Sequence, residues 1–326
     1  MSSWVVICDE NTSIHCLPYF QKNYLTDINP IVLQIQAGES HKDLTQCQFI
    51  WQRMLELGID RDSILISLGG GQVSDLSGFA ASTFKRGIRL INVPTTNLAM
   101  CDAALGGKTG INLLDVKNQI GTFYPAVAVL IDAHFLNTLP ENQLRSGFAE
   151  TIKHALIADP KLWSELITGN WKSYAKDQRI IDQSAQIKLK IVQSDPNDLN
   201  ERHALNFGHT VGHALETESH LQNLPLLHGE AIAFGMVAEA YLSVKLRALS
   251  ERNLKQISAY IRSIFAISNR IHAESIVKHA QSDKKNSGGK IRCSLIANIG
   301  EPKVKVEVSE VQIFEAVDFA QRQFAA

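Results

Sequence analysis

Five of the eleven histidines fall between His203 and His228. Within that stretch, Asn206-Phe207-Gly208-His209-Thr210-Val211-Gly212-His213 reads as the start of a helix. Residues four apart project from one helix face, so His209 and His213 point the same way. His228 heads another helix, and three imidazoles can then converge between two helices as they do around Zn²⁺. A carboxylate is the expected companion, and Glu150 sits on an otherwise apolar face of the run LRSGFAETIKH. Spacing leaves open which three of His209, His213, His228, His154, Glu150 and Glu230 bind an ion, and any single one of these histidines is equally at home as a hydrogen-bonded core residue.

A second chemistry is suggested by Gly69-Gly70-Gly71, which ends the apolar run Ile64 to Leu68 and precedes a helix from about Ser74-Asp75. Glycines there let the backbone approach a pyrophosphate, and the free N–H groups and dipole of the helix favour its charge. The spacing is not GxGxxG, and a tight turn needing positive φ is the competing explanation. Asp9 and Asn11, just past the first apolar run, could take a ribose hydroxyl, although both types are also common turn formers. Gly106-Gly107-Lys108-Thr109-Gly110 resembles a small phosphate loop but lacks the pattern of an ATP-binding P-loop. Lys117-Asn118, Lys153, Lys188, Arg202 and Lys284-Lys285-Asn286 are each ordinary surface groups taken singly. Together, near one metal, they suit a small polyanion carrying phosphate and carboxylate.

The elements that must position these groups divide into two kinds. Trp4 to Cys8, Ile31 to Leu33, Ile64 to Leu68, Ile88 to Val93 and Val127 to Ile131 are short, β-branched and bounded by turn residues, as buried parallel strands are. Asp43 to Leu57 and Leu76 to Phe84 carry helical periodicity between them. The alternation predicts a Rossmann-like, doubly wound, mostly parallel α/β domain over residues 1–140. Beyond Leu139-Pro140 long helical patterns take over: Glu141 to Ala158, Ile180 to Gln193, Asn206 to Ser219, Gly229 to Leu249 and Leu254 to Ser263. An all-α domain over 141–326 is expected, interrupted by loops at Ser194 to Asn200 and Ser282 to Gly289.

Composition removes other classes. The 326 residues carry 32 Lys and Arg against 33 Asp and Glu, so no global field gathers a nucleic acid. Mean hydropathy is −0.05, and no apolar run approaches a membrane span or a secretion signal, so a cytoplasmic location is expected. Five cysteines, at 8, 16, 47, 101 and 293, form no CxxC pair and suit reduced thiols.

The runs GGGQVSDLSGFAASTFKRG, VPTTNLAMCDAALGGKTGIN, KNQIG, LRSGFAETIKH, LNFGHTVGHALE, LHGEAIAFGM and DKKN occur in the order and spacing of one family. From about Val5 to its end the chain resembles the 3-dehydroquinate synthases, of the sugar phosphate cyclase superfamily. The resemblance implies an NAD-binding α/β domain, a helical metal-binding domain, a cleft that closes over a phosphorylated sugar acid, and a homodimer. It implies Glu150, His209 and His228 as ligands of Zn²⁺ or Co²⁺, with His213 as a substrate and proton-relay residue. Arg86, Lys108, Asn118, His213 and Lys285 would surround the substrate phosphate, with Arg86 supplied across the dimer. Lys188, Arg202 and Asn206 would hold the carboxylate end, and Asp102 and Lys153 the ring hydroxyls. For NAD it implies Asp9, Asn11, Glu39, Lys42, Gly70, Gly71, Asp75, Thr95, Thr96 and Lys117. Three departures stand out: the short stretch before the first strand, Gln72 and Ser74 in the glycine loop, and Cys101 where valine is usual beside Asp102. None removes a charged site residue, so an active enzyme is expected. The rivals are another cyclase of the superfamily or a metal-dependent polyol dehydrogenase, which would release NADH.

Overall fold

A computed structural model describes residues 3–114, 116–247, 249–267, 271–281 and 290–325. Two compact units result: Met1–Leu144 with Lys176–Ala185, and Arg145–Ala175 with Gln186–Ala326.

In the first unit, the apolar runs form strands because both faces of the sheet are covered and leave no polar face to alternate. The strands are β1 (Trp4–Asp9), β2 (Ile31–Ile35), β3 (Ile64–Gly69) and β4 (Arg89–Pro94). The helices are α1 (Glu10–His15), α2 (Leu17–Tyr24), α3 (Leu44–Glu56) and α4 (Gly71–Thr83). An antiparallel hairpin, β5 (Lys108–Leu113) and β6 (Val116–Phe123), precedes a short β7 (Ala128–Val129). The main sheet has the order β2-β1-β3-β4-β7, and every pairing is parallel. Val5, Ile7, Leu33, Leu65 and Leu90 from the sheet pack with Ile50, Met54, Val73, Leu76 and Phe79 from α3 and α4 into one core. The doubly wound α/β expectation holds. The run expected at Val127 to Ile131 pairs only through Ala128 and Val129.

The second unit is mainly helical: most of α5 (Glu141–Ala158), then α6 (Pro160–Leu166), α7 (Trp171–Tyr174), the later part of α8 (Gln178–Ser194), α9 (His209–Leu221), α10 (His228–Arg247), α11 (Glu251–Ile264), α12 (Ala273–Gln281) and α13 (Glu310–Ala325). It is not all-α, which corrects the expectation from sequence. An antiparallel pair, β8 (Ile291–Asn298) and β9 (Glu301–Val308), turns at Gly300 with φ +86°. The reason is a period of two: Lys303, Lys305 and Glu307 are exposed, while Val306 between them and Val308 after them are buried. Among the described residues no helix is long and apolar enough to cross a membrane. All five cysteines are buried and none forms a disulfide, and burial pushes the thiols of Cys8 and Cys47 up to about 12 and that of Cys16 up to about 11.

Candidate active site

The histidine-rich stretch lies in the second unit. His209 opens α9 and His228 opens α10, two helices that pack on one another, while Glu150 is fully buried on α5. The donor atoms of Glu150, His209 and His228 all lie within 4.8 Å of one another. Glu150 Oε1 is 3.7 Å from His209 Nε2 and 3.4 Å from His228 Nε2. The opposite ring nitrogens face acceptors: His209 Nδ1 is 3.2 Å from the Phe207 carbonyl, and His228 Nδ1 is 3.2 Å from Glu216 Oε2. An Nδ1–H held in that way fixes the tautomer and turns the Nε2 lone pair toward the carboxylate, the arrangement that metal-binding histidines use. Two imidazoles and one carboxylate form a donor set suited to Zn²⁺ or Co²⁺. Burial opposes a charged His228, but the Glu150 and Glu216 carboxylates outweigh it and push its imidazole up to about 10, so a proton and a cation compete for this ring.

The other histidines and acids separate by position. His213 stands beside the group, its ring 5.0 Å from that of His209 and 6.0 Å from that of His228, and it forms a second close set with Glu216 and His228. Glu230 instead accepts from the Leu227 N–H at 2.9 Å, at the start of α10. His154 is fully buried on α5. Lys153 is buried too, with its ammonium on Glu150 Oε2. Lys188 and Arg202 are buried in the same unit. Arg202 follows a loop wound around Asp195, whose carboxylate accepts from the N–H groups of Leu199 (2.9 Å), Asn200 (2.6 Å) and Arg202 (3.2 Å). Asn206 Nδ2 is 3.3 Å from His203 Nδ1.

In the first unit, Asp9, Gly69 and Pro94 end β1, β3 and β4, and β1 and β3 flank the point where strand order reverses. Ligands of doubly wound sheets bind at that edge. Gly69, Gly70 and Gly71 all have ordinary negative φ, so close approach and not turn conformation requires them. A Cβ on Gly69 would lie 2.5 Å from the Val73 side chain, and one on Gly70 3.0 Å from Thr96 Cγ2. Gly70 caps α4 with no side-chain bond. Ser74 is turned inward, its hydroxyl donating to the Gly71 carbonyl at 3.0 Å, while Gln72 ties α4 to Gln36 and Gly38. Asp9 caps α1, its carboxylate accepting from the Thr12 N–H at 2.7 Å, and Asn11 is exposed beside it.

Four of the predicted positions converge on one ammonium. Lys42, 3% exposed, donates to Asp75 Oδ2 at 2.5 Å and to Asn118 Oδ1 at 2.6 Å, with Glu39 Oε1 at 3.7 Å. Asn118, expected with the phosphate cations, also joins this network, through its Oδ1. Asn112, which sequence reasoning missed, completes it by donating to Glu39 and accepting from the Asn118 N–H. Lys117 is exposed next to Asn118, Thr95 is buried and Thr96 half-buried. Lys108 is exposed at the first residue of β5, and Asp102 is half-buried in the π-helical turn after β4. Arg86 is exposed with φ 67°, following Lys85 at φ 49°, two successive left-handed residues whose strain the surrounding structure must support. Lys285 lies outside the described residues.

Residues 32–146 match the 3-dehydroquinate synthase N-terminal family and residues 147–286 the 3-dehydroquinate synthase C-terminal family. The 3-dehydroquinate synthase of Parabacteroides distasonis is 39% identical over 323 residues, covering 98% of this chain and 91% of that one. The chain belongs to the 3-dehydroquinate synthase family. Solved cyclases share the fold of this 3-dehydroquinate synthase family member. A 2-deoxy-scyllo-inosose synthase complexed with carbaglucose-6-phosphate, NAD⁺ and Co²⁺ superposes with TM-score 0.87 at 26% identity, covering 97% of this chain and 90% of that one. The 2-epi-5-epi-valiolone synthase of Streptomyces hygroscopicus, with NAD⁺ and Zn²⁺ bound, gives 0.86 at 28% identity, covering 98% and 91%.

Proposed function

We propose that the protein is a 3-dehydroquinate synthase, converting 3-deoxy-D-arabino-heptulosonate 7-phosphate to 3-dehydroquinate and phosphate in the shikimate route to aromatic amino acids. The observation that carries this reading is the gathering of Glu150, His209 and His228 into one donor set in a chain that matches the 3-dehydroquinate synthase family over residues 32–286. Identity of 39% across nearly the whole chain favours this member of the superfamily over the inosose and valiolone synthases at 26% and 28%.

In this reading the first unit holds NAD along Asp9, Asn11, Glu39, Lys42, Gly70, Gly71, Asp75, Thr95, Thr96 and Lys117, and the cofactor supplies a hydride acceptor that is restored within each cycle. Glu150, His209 and His228 hold one Zn²⁺ or Co²⁺, which when bound supplies Lewis-acid polarisation of a hydroxyl and of the ketone derived from it. Lys153 and Asp102 orient the ring hydroxyls, and the His213 imidazole relays the proton that leaves with oxidation. Lys188, Arg202 and Asn206 fix the carboxylate, which sets which carbon faces the cofactor. Lys108, Lys285, Arg86 and Asn118 hold the phosphate so that its own oxygen removes the proton adjacent to the ketone as the phosphate leaves. The residues thereby position the ester and stabilise departing charge. Ring opening and an intramolecular aldol then complete the carbocycle. A cytoplasmic homodimer, with Arg86 serving the partner's site, completes the proposal.

The test is turnover of the heptulosonate phosphate with a divalent metal and substoichiometric NAD⁺. Phosphate should be released in step with product while absorbance at 340 nm stays flat. NADH rising in step with substrate loss would establish a dehydrogenase, and phosphate release from a hexose 6-phosphate alone would establish another cyclase.

A further inference from the structure

Glu239 is completely buried on α10, the one carboxylate in the apolar run Ala231 to Ala240. A buried carboxylate is tolerated only where donors surround it, and three backbone N–H groups donate to this one. Glu239 Oε2 accepts from the Gly208 N–H at 2.7 Å, and Oε1 from the N–H groups of Thr210 at 2.9 Å and Val211 at 3.1 Å. These are the cap and first-turn amides of α9, the helix whose first residue is His209. Such amides have no partner within their own helix, and here the whole turn is buried away from water.

The usual solution is a Ser, Thr, Asp or Asn at the cap position, and packing forbids it here. Gly208 has φ +80°, and a Cβ on it would lie 2.6 Å from Met236 Cγ and 2.9 Å from the Met236 nitrogen. From the other side, a Cβ on Gly235 would lie 1.9 Å from the Gly208 carbonyl oxygen. The two helices approach too closely for residue 208 to carry a capping side chain, and Glu239, one turn beyond Gly235, supplies the cap from the neighbouring helix. The negative charge also has an electrostatic consequence. A helix N-terminus carries roughly half a positive charge, which would repel a cation held by the first residue of that helix. The carboxylate behind the turn offsets that field.

We propose that Glu239 is a positioning residue for the metal site, fixing the turn that presents His209 and cancelling the helix dipole there. This rests on the reading of Glu150, His209 and His228 as the metal ligands. It predicts that metal affinity depends on a residue that touches neither metal nor substrate.

The experiment titrates metal-free protein with Co²⁺ against a competing chelator and records the visible d–d spectrum, for wild type, Glu239→Gln and His209→Ala. Glutamine keeps the volume and one acceptor but loses the charge and turns an N–H₂ toward donors. The expected result is a Co²⁺ dissociation constant raised about 10- to 100-fold in Glu239→Gln, with a shifted spectrum, as outer partners of ligands usually give. Wild-type affinity and spectrum in a folded Glu239→Gln would overturn the proposal, whatever happens to its melting temperature. Undiminished Co²⁺ stoichiometry in His209→Ala would instead overturn the ligand assignment itself. Should Glu239→Gln fail to fold, hydrogen exchange of the 207–212 segment in metal-free wild type decides. Protection comparable to the interior of α10 supports the cap, and exchange within seconds overturns it.

Discussion

Lys42→Met tests whether one buried ammonium organises the cofactor side of the first unit. The ammonium donates to Asp75 at 2.5 Å and to Asn118 at 2.6 Å, from a side chain 3% exposed. Hydrogen bonds involving a charged group are worth about 1.5–3 kcal/mol each, so two set an upper range of about 3–6 kcal/mol. The Asp75 side chain is 19% exposed, and water can partly replace the lost donor, which brings the expected loss to about 2–4 kcal/mol. The surface pair Lys290–Glu307 has a similar separation, 2.7 Å, but its side chains are 61% and 49% exposed. Solvent screening limits such a pair to about 1 kcal/mol or less, so Lys290→Met is the control. At about 2–4 °C per kcal/mol, Lys42→Met should lower the melting temperature of the first unit by roughly 5–15 °C, well beyond the control. Calorimetric titration should also show weakened NAD⁺ binding, because Glu39, Asp75 and Asn118 lose their common anchor. A melting temperature within about 2 °C of wild type together with unchanged NAD⁺ affinity would refute the network's importance.

Two further outcomes are expected. The N–H groups of Leu199, Asn200 and Arg202 hold the Asp195 carboxyl below the usual carboxylate range, so its contribution to stability is present above the unfolded-state value and disappears as pH falls through the lower folded one. The stability gap between wild type and Asp195→Asn, measured by urea unfolding, should be constant above about pH 5 and shrink below about pH 4; a gap independent of pH would remove the charge from the explanation. Lys108→Met and Arg86→Ala should each lower kcat/KM by roughly ten- to a hundredfold, and mixing the two impaired variants should restore part of the lost activity if Arg86 serves the partner's site. Heterodimers shown to form without any recovery would confine Arg86 to its own chain.

The strands β1 to β4 were legible because a parallel sheet covered on both faces leaves uninterrupted β-branched runs such as Val5-Val6-Ile7. The hairpin of β5 and β6 was not, since β6 is exposed along nearly its whole length and carries no alternation of buried and exposed positions. The second hairpin could have been read from Lys303, Lys305 and Glu307 alternating with valines, a signal lost behind the helical patterns that precede it. The trio Glu150, His209 and His228 was narrowed by family resemblance, because local spacing treats His213 and Glu230 as equal candidates.

Residue types and short-range periodicity determined by themselves the chemistry available to this chain: imidazoles one helical turn apart, glycines at a strand end, and cations enough for a polyanion. Tertiary structure alone decided how that chemistry is divided. It set the Asn118 Oδ1 on Lys42, and brought Glu216 to His228 and Glu239 to the amides on either side of His209. Those last contacts join different helices across 12 and 31 positions of sequence. Helical and strand periods carry information over a few residues, whereas the partner of a buried charge is chosen by which backbones can approach closely, and at Gly208 and Gly235 that depends on two helices already being packed.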